Sequence, residues 1–300
     1  MRLYTGFGIA AILLWSTTVA FSRALTESLG TLTTAALVYV VAGVVACLYV
    51  WRRRGSLRAL FLLPHAYLLG CGGLFVLYIT VLYLAIGTAQ SHSQVITVGL
   101  INYLWPALSL AFSIPLLHKK AKPWLPLGMA LALAGILLAV TATQGVSFQD
   151  LLSGSGGWAC YALALVAAVS WALYSNLSRR WAGEADTGAV PLFLLASGVV
   201  LVVARLFVHE TSAWSPNMLL LLLYVALGPA MLAYILWDTS VRKGDIVLVA
   251  SLSYFTPLLS SMVSAIVLTV APGPAWWLAL LLVVLGAVAS KTAIVDSPAA

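Results

Sequence analysis

Apolar residues in this chain come in blocks of about 20 or more, each long enough to cross a hydrocarbon layer of about 30 Å as a helix. Ten spans are predicted, over roughly 4–23, 31–51, 64–86, 92–117, 123–143, 157–180, 188–208, 216–237, 244–270 and 273–293. Most links between them are short, which leaves no room for a soluble catalytic domain. The longest runs from Gln144 to Gly156. Its Ser153-Gly154-Ser155-Gly156-Gly157 finish reads as a flexible joint at the centre of the chain. The expected fold is an all-α membrane protein of ten transmembrane helices.

Composition agrees with the pattern. Of 300 residues, 63% are hydrophobic and 8% charged, against about 25% charged in a soluble chain. The net charge of +7 suggests nucleic acid until its distribution is examined. With a cytoplasmic N-terminus, Arg2, Arg52, Arg53, Arg54, Arg58, Lys119, Lys120, Lys122, Arg179, Arg180, Arg242, Lys243 and Lys291 fall inside, and only Arg23 and Arg205 fall outside. That asymmetry is the positive-inside bias, so basicity sets topology and no nucleic-acid partner is expected. An even number of spans puts both termini in the cytoplasm. Cys47, Cys71 and Cys160 lie within spans and read as small packing residues. The first span has a counterpart in the second half and is expected to be retained, not cleaved as a signal peptide.

That counterpart is part of an internal repeat. A shift of 156 places Trp15 on Trp171, Thr18 on Tyr174, Ser22 on Ser178 and Tyr78 on Tyr234. A shift of 151 then places Asn102-Tyr103-Leu104-Trp105-Pro106 on Ser253-Tyr254-Phe255-Thr256-Pro257, and Gly135 on Gly286. Two repeats are expected, over 1–145 and 157–295. Each holds five spans, an odd number, so the second must enter the membrane from the opposite side. Inverted repeats of this kind suit alternating access.

Candidate chemistry begins with an absence. Glu27, Asp150, Glu184, Asp186, Glu210, Asp238, Asp245 and Asp296 are all expected in loops or at span ends, as are His65, His92, His118 and His209. Intramembrane ionisable groups mark proton relays, so their absence favours a facilitator over a carrier driven through a membrane carboxylate. No metal-ligand cluster, nucleophile–base pairing or phosphate loop is found either. No enzyme activity and no cofactor are expected. The spans do carry neutral polar stripes: Asn102, Ser109 and Ser113 in the fourth, Ser253, Thr256, Ser260 and Ser264 in the ninth. These hydroxyls either line a substrate path or bond back to their own helices. Trp15, Trp105 and Trp171 lie near mid-membrane, with Trp15 and Trp171 facing each other across the repeat axis. With Tyr78, Tyr234 and Tyr254 they offer stacking and cation–π surface, or ordinary bulky packing. Pro106 and Pro257, at equivalent positions, are hinges or fixed kinks. Gly128, Ala132, Gly135 and Ala139, echoed by Ala279, Gly286 and Ser290, form small-residue ridges suited to close packing or an oligomer surface.

The ten spans, the repeat boundaries and the proline-bearing fourth and ninth spans resemble the drug/metabolite transporter superfamily, in its ten-helix members built from two EamA-type repeats. The segment Val98-Gly99-Leu100-Ile101-Asn102-Tyr103-Leu104-Trp105-Pro106 is similar to the fourth span of that family's aromatic amino acid exporters. The resemblance implies a multi-pass exporter of aromatic or neutral amino acids in the bacterial inner membrane, with a central cavity between the repeats. Asn102, Tyr103, Trp105 and Pro106 carry over by position. The expected binding set is Trp15, Thr18, Tyr78, Asn102, Tyr103, Trp105, Trp171, Tyr174, Tyr234, Ser253 and Tyr254, with Pro106 and Pro257 as hinges. The expected partners are a small amino-acid substrate and the lipid bilayer, and the oligomeric state is left open. The alternative is a broad metabolite or hydrophobic-cation efflux carrier. Export as the direction comes from the resemblance alone.

Overall fold

Helix starts follow from side-chain oxygens set just ahead of apolar runs. The Ser91 hydroxyl accepts the Gln94 N–H, Ser215 accepts that of Met218 with Pro216 in the first turn, and an Asp245 carboxylate oxygen accepts that of Leu248. The helix after Gly30 has no such residue at its start. Its first N–H groups are capped from a distance, by Glu210. That helix ends on the Arg52–Arg54 run at Gly55, whose φ of 68° is a left-handed value open to glycine.

The structure, a computed structural model, describes residues 2–144, 158–182, 188–267 and 273–296. The central Gly/Ser joint and Asp150, Glu184 and Asp186 lie outside the described residues, as does the Ser264 side chain. The elements in order are α1 (Arg2–Ser16), α2 (Thr18–Leu29), α3 (Thr31–Arg54), α4 (Arg58–Phe61), a π turn (Ala66–Cys71), α5 (Gly72–Thr88), α6 (His92–Asn102), α7 (Trp105–Leu117), β1 (Lys119–Ala121) and α8 (Leu125–Gln144). Then come α9 (Trp158–Trp181), α10 (Val190–Leu206), α11 (Pro216–Val225), a π turn (Ala226–Leu232), α12 (Ala233–Lys243), α13 (Ile246–Leu252), a 3₁₀ turn (Ser253–Phe255), α14 (Thr256–Val267), α15 (Pro274–Ala293) and β2 (Ile294–Asp296).

Among the described residues, eight helical stretches are long and apolar enough to cross a membrane. The first expected span is interrupted at Thr17, and the seventh is the 17-residue α10. The interruption has a local cause. Ser16 donates its hydroxyl to the Leu13 carbonyl and Thr17 to that of Leu14, and such back-bonding bends helices. The fourth and ninth expected spans break at matching places. Pro106 and Pro257 each stand at the second position of a new helix, α7 or α14, where the missing N–H costs no helical hydrogen bond.

The most extensive packing is α8 on α15, α3 on α10, α5 on α9 and α1 on α12. The small-residue ridges of α8 and α15 meet each other. A Cβ on Gly286 would run into backbone atoms of Gly128 and Ala132, and one on Gly128 would lie 2.7 Å from the Ser290 nitrogen. β1 pairs antiparallel with β2, Lys119 opposite Asp296. There the hydrogen bond and charge of Lys119 hold the Asp296 carboxyl below its ordinary value.

On the face expected to lie outside, Glu210 clasps α3. One carboxylate oxygen accepts the Leu32 N–H at 2.9 Å, and the other accepts the Thr33 N–H and hydroxyl at 2.8 Å each, with Arg205 Nε 3.3 Å away. Partial burial pushes this carboxyl up, but those hydrogen bonds and Arg205 outweigh it and hold it below the usual value.

Two outcomes follow. Gly286→Leu should lower unfolding stability in detergent by about 1–3 kcal/mol, because rigid backbone stands in the way; an unchanged melting temperature would contradict the close approach. Because the Glu210 carboxyl is depressed, its contribution is complete above the ordinary Glu value of about 4.3 and fades as pH falls through the lower folded value. E210Q should therefore melt lower than wild type at pH 7, with the gap shrinking as the pH is taken below about 4.

Candidate functional site

Aromatic side chains from α1, α5, α7, α9 and α12 converge in the interior. Trp171 is the centre, at 1% exposure. Its ring centroid lies 5.7 Å from Trp15, 4.8 Å from Tyr78, 6.2 Å from Trp105, 5.0 Å from Tyr174 and 5.4 Å from Tyr234. The Tyr174 contact is a stack, at 29° between planes, and most of the others are edge-to-face. Both arrangements suit the ring quadrupoles. Trp15 and Trp171 are in edge-to-face contact, at 77° between planes. Trp15 also donates its indole N–H to the Pro229 carbonyl at 3.1 Å, inside the π turn that precedes α12.

Six of the eleven expected binding residues thus meet in one cluster: Trp15, Tyr78, Trp105, Trp171, Tyr174 and Tyr234. Asn102 ends α6 beside Tyr78 and keeps a buried Oδ1 without a partner, and the Thr18 hydroxyl is likewise buried and unpartnered. Tyr103 lies near Tyr78 but makes no ring contact among the described residues. Ser253 and Tyr254 stand apart. The Ser253 hydroxyl donates to the Val249 carbonyl of its own helix, and the buried Tyr254 ring sits near Ser290 of α15. Ser109 and Ser113 similarly donate to Trp105 and Leu110 carbonyls at 2.7 Å each. Those hydroxyls serve the helices that carry them.

Two members of the cluster were not foreseen. Trp237 is fully buried, with centroids 5.2 Å from Trp15 and 5.3 Å from Trp105, and donates its N–H to Ser175 at 3.1 Å. It falls on Val81 under the 156 shift, so the repeat does not single it out, but its i+3 spacing from Tyr234 places both on one face of α12. Phe75 lies 5.0 Å from Tyr234 and 5.3 Å from Tyr174.

A larger correction concerns the acids. Asp238 was expected at a span end, yet α12 runs on to Lys243 and Asp238 is buried, at 1% exposure. Its Oδ1 accepts the Tyr67 hydroxyl at 2.9 Å and the Tyr174 hydroxyl at 3.0 Å, and its Oδ2 accepts Arg242 Nε at 2.8 Å. Arg242, expected as a cytoplasmic loop charge, is 8% exposed. Tyr67 also accepts the Ala189 N–H at 3.1 Å. A hydropathy reading stops the span at the first polar residues. It does not see that α12 stays helical beyond them, or that distant helices supply the hydroxyls that make burial tolerable. A buried carboxylate therefore exists, and its presence removes the ground for favouring a facilitator. Next to it, Arg179 Nη1 donates to the Val241 and Gly244 carbonyls at 3.2 and 2.6 Å, closing the end of α12.

Comparison with known proteins agrees with this architecture. The profile of the EamA-like transporter family matches residues 3–141 and 158–291. The chain is 31% identical over 281 residues to the aromatic amino acid exporter YddG of Escherichia coli strain K12, covering 93% of each chain. It is 31% identical over 287 residues to the exporter of the same name from Ancylobacter novellus, covering 94% of this chain and 95% of that one. A solved crystal structure superposes with a TM-score of 0.79 at 28% identity, covering 97% of this chain and 98% of the other. The chain belongs to the EamA-like transporter family, within the drug/metabolite transporter superfamily, and is a multi-pass transporter of the bacterial inner membrane, not an enzyme.

Proposed function

We propose that the chain exports aromatic or neutral amino acids by alternating access, through the aromatic site between two inverted five-helix halves, 1–145 and 157–295. The observation that carries this reading is the cluster itself. Trp15, Tyr78 and Trp105 come from the first half, and Trp171, Tyr174 and Tyr234 from the second. Relatives about 30% identical over most of their length bear the name aromatic amino acid exporter, and indole and phenol faces suit an aromatic side chain.

Ten spans and an inverted repeat gain support from the pairing of helices. Number the expected spans one to ten and shift each by five. The fifth–tenth and second–seventh contacts then map onto themselves, and the third–sixth contact maps onto the first–eighth. The breaks ahead of Pro106 and Pro257 coincide under the same shift, which fits a paired hinge role. In this reading the binding set is Trp15, Tyr78, Trp105, Trp171, Tyr174 and Tyr234 with Trp237 and Phe75 added. The unpartnered Asn102 and Thr18 oxygens serve as acceptors for substrate N–H groups. The cluster is closed in this conformation, since its rings rest on one another. Asp238 removes one objection to a hydrophobic-cation carrier. It is already paired with Arg242 at 2.8 Å, however, so a cation would have to displace that guanidinium to reach it.

Purified protein in liposomes should pass labelled phenylalanine or tryptophan well above empty vesicles, assayed with and without a proton gradient. If a lipophilic cation crosses and no amino acid does, the amino-acid reading fails. Within that assay W171A should cut flux about tenfold, because each aromatic pair is worth about 0.5–1.5 kcal/mol and Trp171 makes several. N102A should raise KM severalfold. Undiminished rates in both would displace the site.

A further inference from the structure

Tyr67, Tyr174 and Asp238 meet at one buried node, and the aromatic site alone gives that node no task. We propose that it is a lock on the cytoplasmic side of the transport path, with the Tyr67 hydroxyl as the bolt between the two halves. The inference rests on the alternating-access part of the reading above and is independent of what is carried.

Placement is the first argument. On α9, Tyr174 stands beyond Trp171 in the direction of Arg179 and Arg180. On α12, Asp238 stands beyond Tyr234 in the direction of Lys243. Tyr67 lies in the π turn ahead of α5, well before Tyr78. By the positive-inside bias, all three are on the cytoplasmic side of the aromatic cluster. Tyr174 also ties the node to that cluster, because its ring stacks on Trp171 and its hydroxyl shares Asp238 Oδ1 with Tyr67.

Connectivity is the second. The first half contributes the Tyr67 hydroxyl, which donates to Asp238 Oδ1 at 2.9 Å and accepts the Ala189 N–H at 3.1 Å. Both bonds cross between the halves, so both break when the halves part here. The bonds that remain lie within the second half: Tyr174 donates to Oδ1 at 3.0 Å and Arg242 Nε to Oδ2 at 2.8 Å. Opening therefore leaves the carboxylate matched, and the freed Tyr67 hydroxyl and Ala189 N–H turn to entering water. Gly188 makes the closed fit possible. A Cβ there would lie 2.8 Å from the Tyr67 hydroxyl and would collide with Asp238 Oδ2.

Symmetry is the third. Under the 156 shift Tyr67, Tyr174 and Asp238 fall on Leu223, Thr18 and Leu82. Those equivalents include no acid and no phenol, and the Thr18 hydroxyl is buried without a partner. Two inverted halves on their own give outward-open and inward-open states of similar energy. A polar lock present in one orientation alone breaks that equality. It favours the state that is shut to the cytoplasm, by the free energy of the bonds that Tyr67 makes.

A native residue reports on the lock. Cys71 is fully buried in the same π turn as Tyr67, and C47A/C160A leaves it the sole thiol. The test follows its reaction with trimethylammonioethyl methanethiosulfonate, a membrane-impermeant reagent, in inside-out and right-side-out vesicles. In the C47A/C160A background labelling should be slow from either face. Adding Y67F should speed it at least about tenfold from the cytoplasmic face and leave the outer face unchanged, since bonds to a charged acceptor are the strong ones. G188A, which wedges the node from the opposite side, should act in the same direction and carries the test if Y67F accumulates poorly. Rapid labelling of the background protein overturns the proposal without any further variant. So does a Y67F rate equal to the background rate. Acceleration from both faces also overturns it, because that is what general loosening of a structural contact gives. The readout needs no cargo: vesicles that pass no amino acid would sink the amino-acid reading, whereas a failed Cys71 result beside normal flux would sink the lock alone.

Discussion

Inside hydrocarbon a polar group has only the protein to bond to, and that constraint shapes how the described helices of this chain meet. Backbone carbonyl groups inside and at the ends of helices accept side chains from elsewhere. The Pro229 carbonyl in the second π turn accepts the Trp15 indole N–H. The Asn176 amide donates to the Ser109 carbonyl of α7 as well as to Ala172 in its own helix. The Val241 and Gly244 carbonyls at the end of α12 accept Arg179. Two of these bonds, Trp15 to Pro229 and Asn176 to Ser109, join the first half of the chain to the second, so they also help to hold the two halves in register.

The aromatic cluster is a consequence of the same geometry. Large rings bury much apolar surface while exposing few polar atoms, and their edge-to-face contacts have specific angles. A cluster gathered from five helices therefore fixes how those helices approach. Phe75 and Trp171 touch each other, and each touches both Tyr174 and Tyr234, so a displacement of α5 against α9 is felt at α12. A substrate with an aromatic side chain offers the same kind of surface that the rings now offer each other.

Much of this was legible from the chain. Block length gave the membrane class, and the mid-span positions of Trp15, Trp105 and Trp171 marked the cluster, because burying an indole at mid-depth needs a protein interior. The rest depended on partners remote in sequence. Asp238 looks like a span-end acid because the residues after it include Arg242 and Lys243, and only Tyr67, some 170 positions away, and Tyr174 make its burial possible. Trp237 has no counterpart in the other half, so symmetry was silent. The serine stripes were legible as stripes, but whether a hydroxyl faces a path or its own helix depends on a rotamer that spacing does not encode.

The carboxylates at Glu210 and Asp238 show how differently water treats similar bonds. Both belong to the second half and both accept hydrogen bonds from the first. Glu210 stands outside the spans, where its carboxyl and the N–H groups of Leu32 and Thr33 can each exchange a lost partner for water. That release is cheap and screened by salt. Asp238 is enclosed, and parting it from Arg242 and from the Tyr67 and Tyr174 hydroxyls would leave a carboxylate unmatched in a dry interior. Parting the halves at Asp238, where Tyr67 of the first donates to the carboxylate of the second, therefore costs far more than parting them at Glu210.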